Sequence, residues 1–153
     1  MVAHEVDPPP GSTIAVFGLG GIGLSALMAC SLYAPKQLIA VDVASDKRTL
    51  ADQFGATATL DPAACDPVFE IRRLTGGQGV DFSIEAAGFA RTIEQAFESV
   101  RRGGGLCVFA SHPRSGEHIT LEPHELIAGK RIKGSWGGGS DPDRDIPVSY
   151  THL

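Results

Sequence analysis

A chain of 153 residues is the size of one domain, and 42% hydrophobic content with a mean hydropathy of +0.03 is that of an ordinary globular protein. The net charge of −5, with 13 Lys and Arg scattered along the chain, excludes the basic stripe that a nucleic-acid or anionic-membrane partner requires. The longest apolar run, Leu19 to Ala34, is interrupted by glycines and closed by Pro35, and Met1 to Gly11 lacks a signal-peptide pattern, so no membrane span and a cytoplasmic setting are expected.

Met1 to Gly11 reads as an incoming linker, stiffened by Pro8-Pro9-Pro10. Ile14 to Phe17 is a short apolar run of the kind buried on both faces of a sheet. It stops at Gly18-Leu19-Gly20-Gly21-Ile22-Gly23, and a helix-length apolar segment follows to about Tyr33. Each glycine of this G-x-G-x-x-G has its own task. Gly18 permits the tight turn, Gly20 lets a pyrophosphate approach the backbone, and Gly23 lets helix and strand pack closely. The helix then opens with unpaired N–H groups and a partial positive charge, which suits an anion.

The next apolar run, Leu38 to Val41, ends in Asp42, about 20 residues past the glycines, where a dinucleotide fold places its ribose-binding acid. A carboxylate there accepts hydrogen bonds from the ribose hydroxyls and repels a 2′-phosphate, so NAD is expected over NADP. Two other possibilities stay open. Asp42 could merely cap the following helix, and Lys47 with Arg48 could neutralise a 2′-phosphate.

A helix capped by Ser45 or Asp46 runs to Phe54, and Gly55 stops it. Thr57 to Leu60 is a third strand. The second half repeats the plan: a helix capped by Asp66 to Leu74, a strand over Val80 to Ile84, and a helix to Val100 with Ile93, Ala96 and Phe97 at helical spacing. Leu106 to Ala110 is a fifth strand, Pro123 to Ala128 a short helix, and Arg131 to Trp136 a sixth strand. Six strands alternating with helices predict an α/β fold of the Rossmann type. Its doubly wound parallel sheet would run in order 3-2-1-4-5-6 with helices on both faces. Cys30, Cys65 and Cys107 are too few and too dispersed for a disulfide framework or a zinc site, and core packing is expected of Cys30 and Cys107.

Beyond the glycines, several stretches resemble the cofactor domain of zinc-type medium-chain alcohol dehydrogenases. They are Ala15 to Gly23, Ile39 to Asp42 with Asp46-Lys47, Phe54 to Thr57, Gly79 to Glu85, and Gly129 to Gly138, in family order and spacing. The resemblance implies that Gly21 and Ile22 offer N–H groups to the pyrophosphate and that the Ile22 side chain lies behind the nicotinamide. It also implies that Asp42 and Lys47 hold the adenosine ribose and that Ala87 touches the adenine. The backbone at Phe109, Ser135 and Gly137 would bind the nicotinamide amide, with strand-end packing the equal alternative for Phe109 and Ser135. In the family the sixth strand pairs with its copy in a second subunit, which implies a homodimer through Arg131 to Trp136, and an open edge strand invites such pairing.

The resemblance covers roughly positions 11 to 147, which makes 12–147 the NAD(P)-binding domain. Residues 1–11 would link it to a catalytic domain ahead of it, and 148–153 shows no family pattern, as a truncated or artefactual tail would. The zinc ligands of the family belong to that other domain. His112, His118 and His124 lack metal-ligand spacing, so neither metal nor catalytic residues are expected in this chain. The implied parent oxidises a small alcohol to an aldehyde or ketone with NAD, whereas the chain alone would bind cofactor and turn over nothing. A zinc-free NADPH-dependent quinone or enone reductase of the same superfamily and a non-catalytic NAD-sensing module are the alternatives. A methyltransferase is disfavoured because Phe17, not an acid, closes the first strand.

Overall fold

The computed structural model describes residues 1–141; the tail at 148–153 and the last positions of the 12–147 domain lie outside the described residues. Six parallel strands form one sheet in the order β3-β2-β1-β4-β5-β6. They are β1 (Thr13–Phe17), β2 (Gln37–Val41), β3 (Ala58–Leu60), β4 (Phe82–Glu85), β5 (Leu106–Phe109) and β6 (Arg131–Gly134). Between them run α1 (Gly21–Ser31), α2 (Ser45–Gln53), α3 (Pro67–Leu74), α4 (Ala90–Ser99) and α5 (Pro123–Ile127). The expected order of strands is therefore observed.

A strand's side chains alternate between faces, so a run that is apolar at every position must be covered twice. Ile14 and Val16 of β1 and Leu38 and Ala40 of β2 enter one core with Ala26, Leu27 and Cys30 of α1. Ala15 and Phe17, with Ile39 and Val41, enter the other with Ile71, Ala96 and Phe97 of α3 and α4. All of these side chains are almost wholly buried, which is why β1 and β2 carry no polar residue beyond their first. Cys30 and Cys107 are buried free thiols pushed up to about 12 by desolvation, the packing role expected of them.

Several boundaries move from the sequence reading. Val80 makes only an isolated bridge to Val100, so β4 starts at Phe82. Strand β6 stops at Gly134 because the chain turns into a 3-10 turn at Gly137–Gly139. Asp66 caps α3 as expected, accepting from the Val68 N–H at 2.9 Å, whereas α2 begins after Ala44 with no side-chain cap. Within the stretch read as a linker, Val2–Val6 forms one helical turn whose two valines are buried against the α1 core. Apolar residues beside an uncovered helix face find burial more favourable than water.

At the other end of α4, the buried Lys130 ammonium donates to the Glu98 carbonyl at 2.9 Å and pairs with Glu125 at 2.9 Å. Arg102 also bonds Glu125. Hydrogen bonds from Arg102 and Lys130, against burial, hold the Glu125 carboxyl down at about 2 from an ordinary 4.5. A folded value below the unfolded one means this contribution is complete above about pH 4.5 and fades as pH falls toward 2. Urea midpoints should therefore fall between pH 6 and pH 3, and Glu125→Gln should shrink that fall.

Candidate functional site

In an open parallel sheet the ligand crevice lies beyond the strand ends where the order reverses, here between β1 and β4. The two chains leave those strands in close contact. Gly18 has φ +82°, and a Cβ on it would sit 2.6 Å from the Ala87 nitrogen. A Cβ on Gly23 would sit 1.8 Å from the Gly18 carbonyl oxygen. These two glycines are thus required by packing.

Gly20 and Gly21 differ. A Cβ on either would meet nothing within 4 Å, because both face open space at the start of α1. Gly20 is the N-cap, no side chain caps the helix, and the first helical bond inside runs from the Leu24 N–H to the Gly20 carbonyl. The N–H groups of Gly21, Ile22 and Gly23 therefore precede the first intrahelical bond and point outward from a positive helix end. Two bare glycines over uncapped N–H groups form a cradle that suits a diphosphate.

Asp42 stands beside this end. Its Oδ2 accepts the Leu19 N–H at 2.6 Å and its Oδ1 the Ala44 N–H at 2.8 Å. The first bond ties the end of β2 to the glycine turn, and the second orders the entry to α2. Each carboxylate oxygen has a lone pair left for a ligand hydroxyl. Asp42, Gly18, Gly20 and Ala87 line one largely apolar cavity of about 360 Å³, with Val43, Pro62 and Phe89 on its rim and walls. Val43 and Phe89 are 68% and 61% exposed and give the cavity an apolar rim.

The other expected residues fall elsewhere. Gly21 and Ile22 line a separate, wider groove between α1 and the Val2–Val6 turn. Lys47, on the first turn of α2, does not line the cavity; its neighbour Arg48 donates to the Asp42 carbonyl at 2.7 Å and pairs with Asp61 at 3.1 Å. Phe109 and Ser135 meet at the far ends of β5 and β6, where the Ser135 N–H bonds the Phe109 carbonyl at 2.8 Å. Ser135 Oγ also donates to Glu5, which pairs with Lys133 at 3.2 Å, and Gly137 opens the 3-10 turn that follows. His112 stacks edge-on against Trp136 and His124 faces Glu122. Among the described residues, no three His, Cys, Asp or Glu side chains are grouped to hold a metal ion, and no helix is long and apolar enough to cross a membrane.

One residue of the site escaped the sequence reading. Glu85, the last residue of β4, is completely buried beneath the loop that leads to the cavity wall at Ala87 and does not itself line the cavity. Its Oε1 accepts the Ala87 and Gly88 N–H groups, both at 2.9 Å, and the Thr92 hydroxyl at 2.7 Å, while its Oε2 accepts the Ser111 hydroxyl. It shapes the loop that carries Ala87 and Phe89. The available signal was an acid closing an otherwise buried strand, just before Gly88.

The profile of the zinc-binding dehydrogenases matches residues 21–148. The chain belongs to the zinc-binding dehydrogenase family. It is 42% identical over 142 residues to alcohol dehydrogenase class-2 isozyme 2 of Oryctolagus cuniculus, a match spanning 92% of the chain and 37% of that relative. Benzyl alcohol dehydrogenase of Acinetobacter calcoaceticus superposes with a TM-score of 0.90 at 29% identity, over 95% of the chain and 40% of the other. A zinc-binding dehydrogenase of Sinorhizobium meliloti 1021, solved bound to NADP, superposes at 0.79 and 36% identity over 84% and 38%. The chain thus spans about two-fifths of the length of these family members. It corresponds to the cofactor-binding domain of the medium-chain superfamily, and its relative is an oxidoreductase.

Proposed function

We propose that this chain is the NAD-binding domain of a zinc-dependent alcohol dehydrogenase acting in the cytoplasm. The carrying observation is the Asp42 carboxylate, fixed by two main-chain donors at the mouth of a cavity that begins at an uncapped helix end. The N–H groups of Gly21 and Ile22 would hold the diphosphate, Asp42 the ribose hydroxyls, and Ala87 the adenine. Lys47 would approach the ribose from outside the cavity. The backbone at Phe109, Ser135 and Gly137 would fix the nicotinamide amide, and Ile22 would back the ring. Bound nicotinamide supplies the hydride acceptor for a small alcohol, giving aldehyde or ketone. The metal that would polarise the alcohol has its ligands in another part of the polypeptide.

Titration of the purified chain with NADH, read by reduced-nicotinamide fluorescence, tests this. Asp42→Ala should weaken NADH about 30-fold, as expected for losing two charge-assisted hydrogen bonds. Unchanged affinity would reject the assignment. The same chain should oxidise no alcohol with zinc added. The zinc-binding dehydrogenase solved with NADP supports the NADPH alternative on cofactor alone, and tighter NADPH than NADH binding would select it.

The homodimer belongs to the same proposal. Arg131 and Ser135 direct their N–H groups to β5, so the alternate residues Ile132 and Gly134 direct theirs to the open edge. Leu126 and Ile127 just before β6, and Trp136 just after it, are exposed. Sedimentation should give a dimer, and a monomer at micromolar concentration would count against it.

A further inference from the structure

The ion pair between Arg48 and Asp61 sits beside the ribose end of the cavity and has no part in the fold's main core. Arg48 is anchored by Nη1 to the carbonyl of Asp42, the same residue whose carboxylate faces the cavity, at 2.7 Å. Its Nη2 is held by Asp61 Oδ2 at 3.1 Å. Asp61 is fixed in turn, because its Oδ1 accepts the Ala63 N–H at 2.9 Å across Pro62, a cavity wall residue. The pair is partly buried, with side-chain exposures of 19% and 30%.

We propose that Asp61 is a second determinant of cofactor choice, acting through Arg48 to keep a guanidinium from answering the 2′-phosphate of NADP. The chemistry is that of competing anions. An arginine next to a ribose pocket is a ready phosphate ligand, since its planar fork matches a phosphate edge. Here one terminal nitrogen is taken by a main-chain carbonyl and the other by a carboxylate. Asp42 rejects the phosphate directly; Asp61 removes the cation that would have compensated for it. The sequence alone left Arg48 open as a phosphate ligand, and the ion pair assigns it the opposite role.

This inference rests on the reading of the cavity as an adenosine site, and the test separates the two. NADH and NADPH are titrated against the wild-type chain, Asp61→Asn, Arg48→Gln and the double variant. Asn keeps an acceptor for the Ala63 N–H, so the turn is retained while the charge is lost; Asp61→Ser, read the same way, serves if Asp61→Asn unfolds. The expected result is NADPH binding about 10-fold tighter in Asp61→Asn, with NADH changed less than about 3-fold and the gain absent in the double variant. Unchanged NADPH affinity in Asp61→Asn, with NADH still bound, overturns the inference alone. A gain that persists without Arg48 overturns it too, since Asp61 would then act only as a bare like charge. A wild-type chain that binds neither dinucleotide overturns the adenosine reading and this inference with it.

Discussion

Gly23→Ala is expected to cost about 3 kcal/mol of folding stability and to abolish NADH binding, because overpacking against a backbone atom cannot relax as it does against a side chain. The new methyl would lie 1.8 Å from the Gly18 oxygen and 2.8 Å from the Gly18 carbonyl carbon. Gly18 cannot yield, since its own Cα faces the Ala87 backbone and its N–H is held by the Val41 carbonyl at 2.8 Å. Either α1 lifts off the sheet, taking the buried Ala26, Leu27 and Cys30 with it, or the turn opens and the phosphate cradle is lost. Gly20→Ala is the control. Its φ of −70° suits any residue and its Cβ enters open space, so the urea midpoint should hold while NADH weakens about 10-fold through obstruction of the cradle. Equal loss of stability in both variants would refute the division between packing and binding glycines.

Removal of the Glu85 carboxylate is expected to be the second large loss. Glu85→Ala takes the carboxylate acceptor from two N–H groups and the Ser111 hydroxyl, while Thr92 keeps the Phe89 carbonyl, and losing several hydrogen bonds to a charged group costs about 3–5 kcal/mol. Glu85→Gln should cost about 1 kcal/mol, since the amide oxygen can keep the three donors at Oε1 and the Ser111 hydroxyl can turn to accept from the amide. Urea unfolding measures both, and near-equal losses would show that volume, not hydrogen bonding, is what Glu85 supplies. NADH binding by Glu85→Gln should persist with the loop to Phe89 intact.

The two glycine classes show how far a linear reading reaches. The spacing of Gly18, Gly20 and Gly23 announced a strand-to-helix turn and the packing task of Gly23, but it could not tell that Gly18 also meets a neighbouring stretch of chain. That contact needs Ala87, which is far along the sequence and adjacent only once β1 and β4 pair. The same holds for Glu85, whose partners span Ala87 to Ser111, and for the Val2–Val6 turn, whose burial depends on the face of α1 beneath it. Helix caps were legible when side chain and backbone lie two residues apart, as with Asp66. The start of α2 was not, because Asp42 and Ala44 bond each other while Asp42 also serves Leu19.

Local pattern alone determined the six strands, the five α-helices between them and their order, since strand and helix periods are properties of neighbouring residues. It determined the crevice too, because runs apolar at every position imply a parallel sheet covered on both faces, and such a sheet has one reversal point. Only the tertiary structure decided which protein partners each charge takes there. Arg48 pairs with Asp61, and Asp42 bonds both the glycine turn at Leu19 and the helix entry at Ala44. Charges interact through space over a few ångströms, and those distances exist only after the chain has folded.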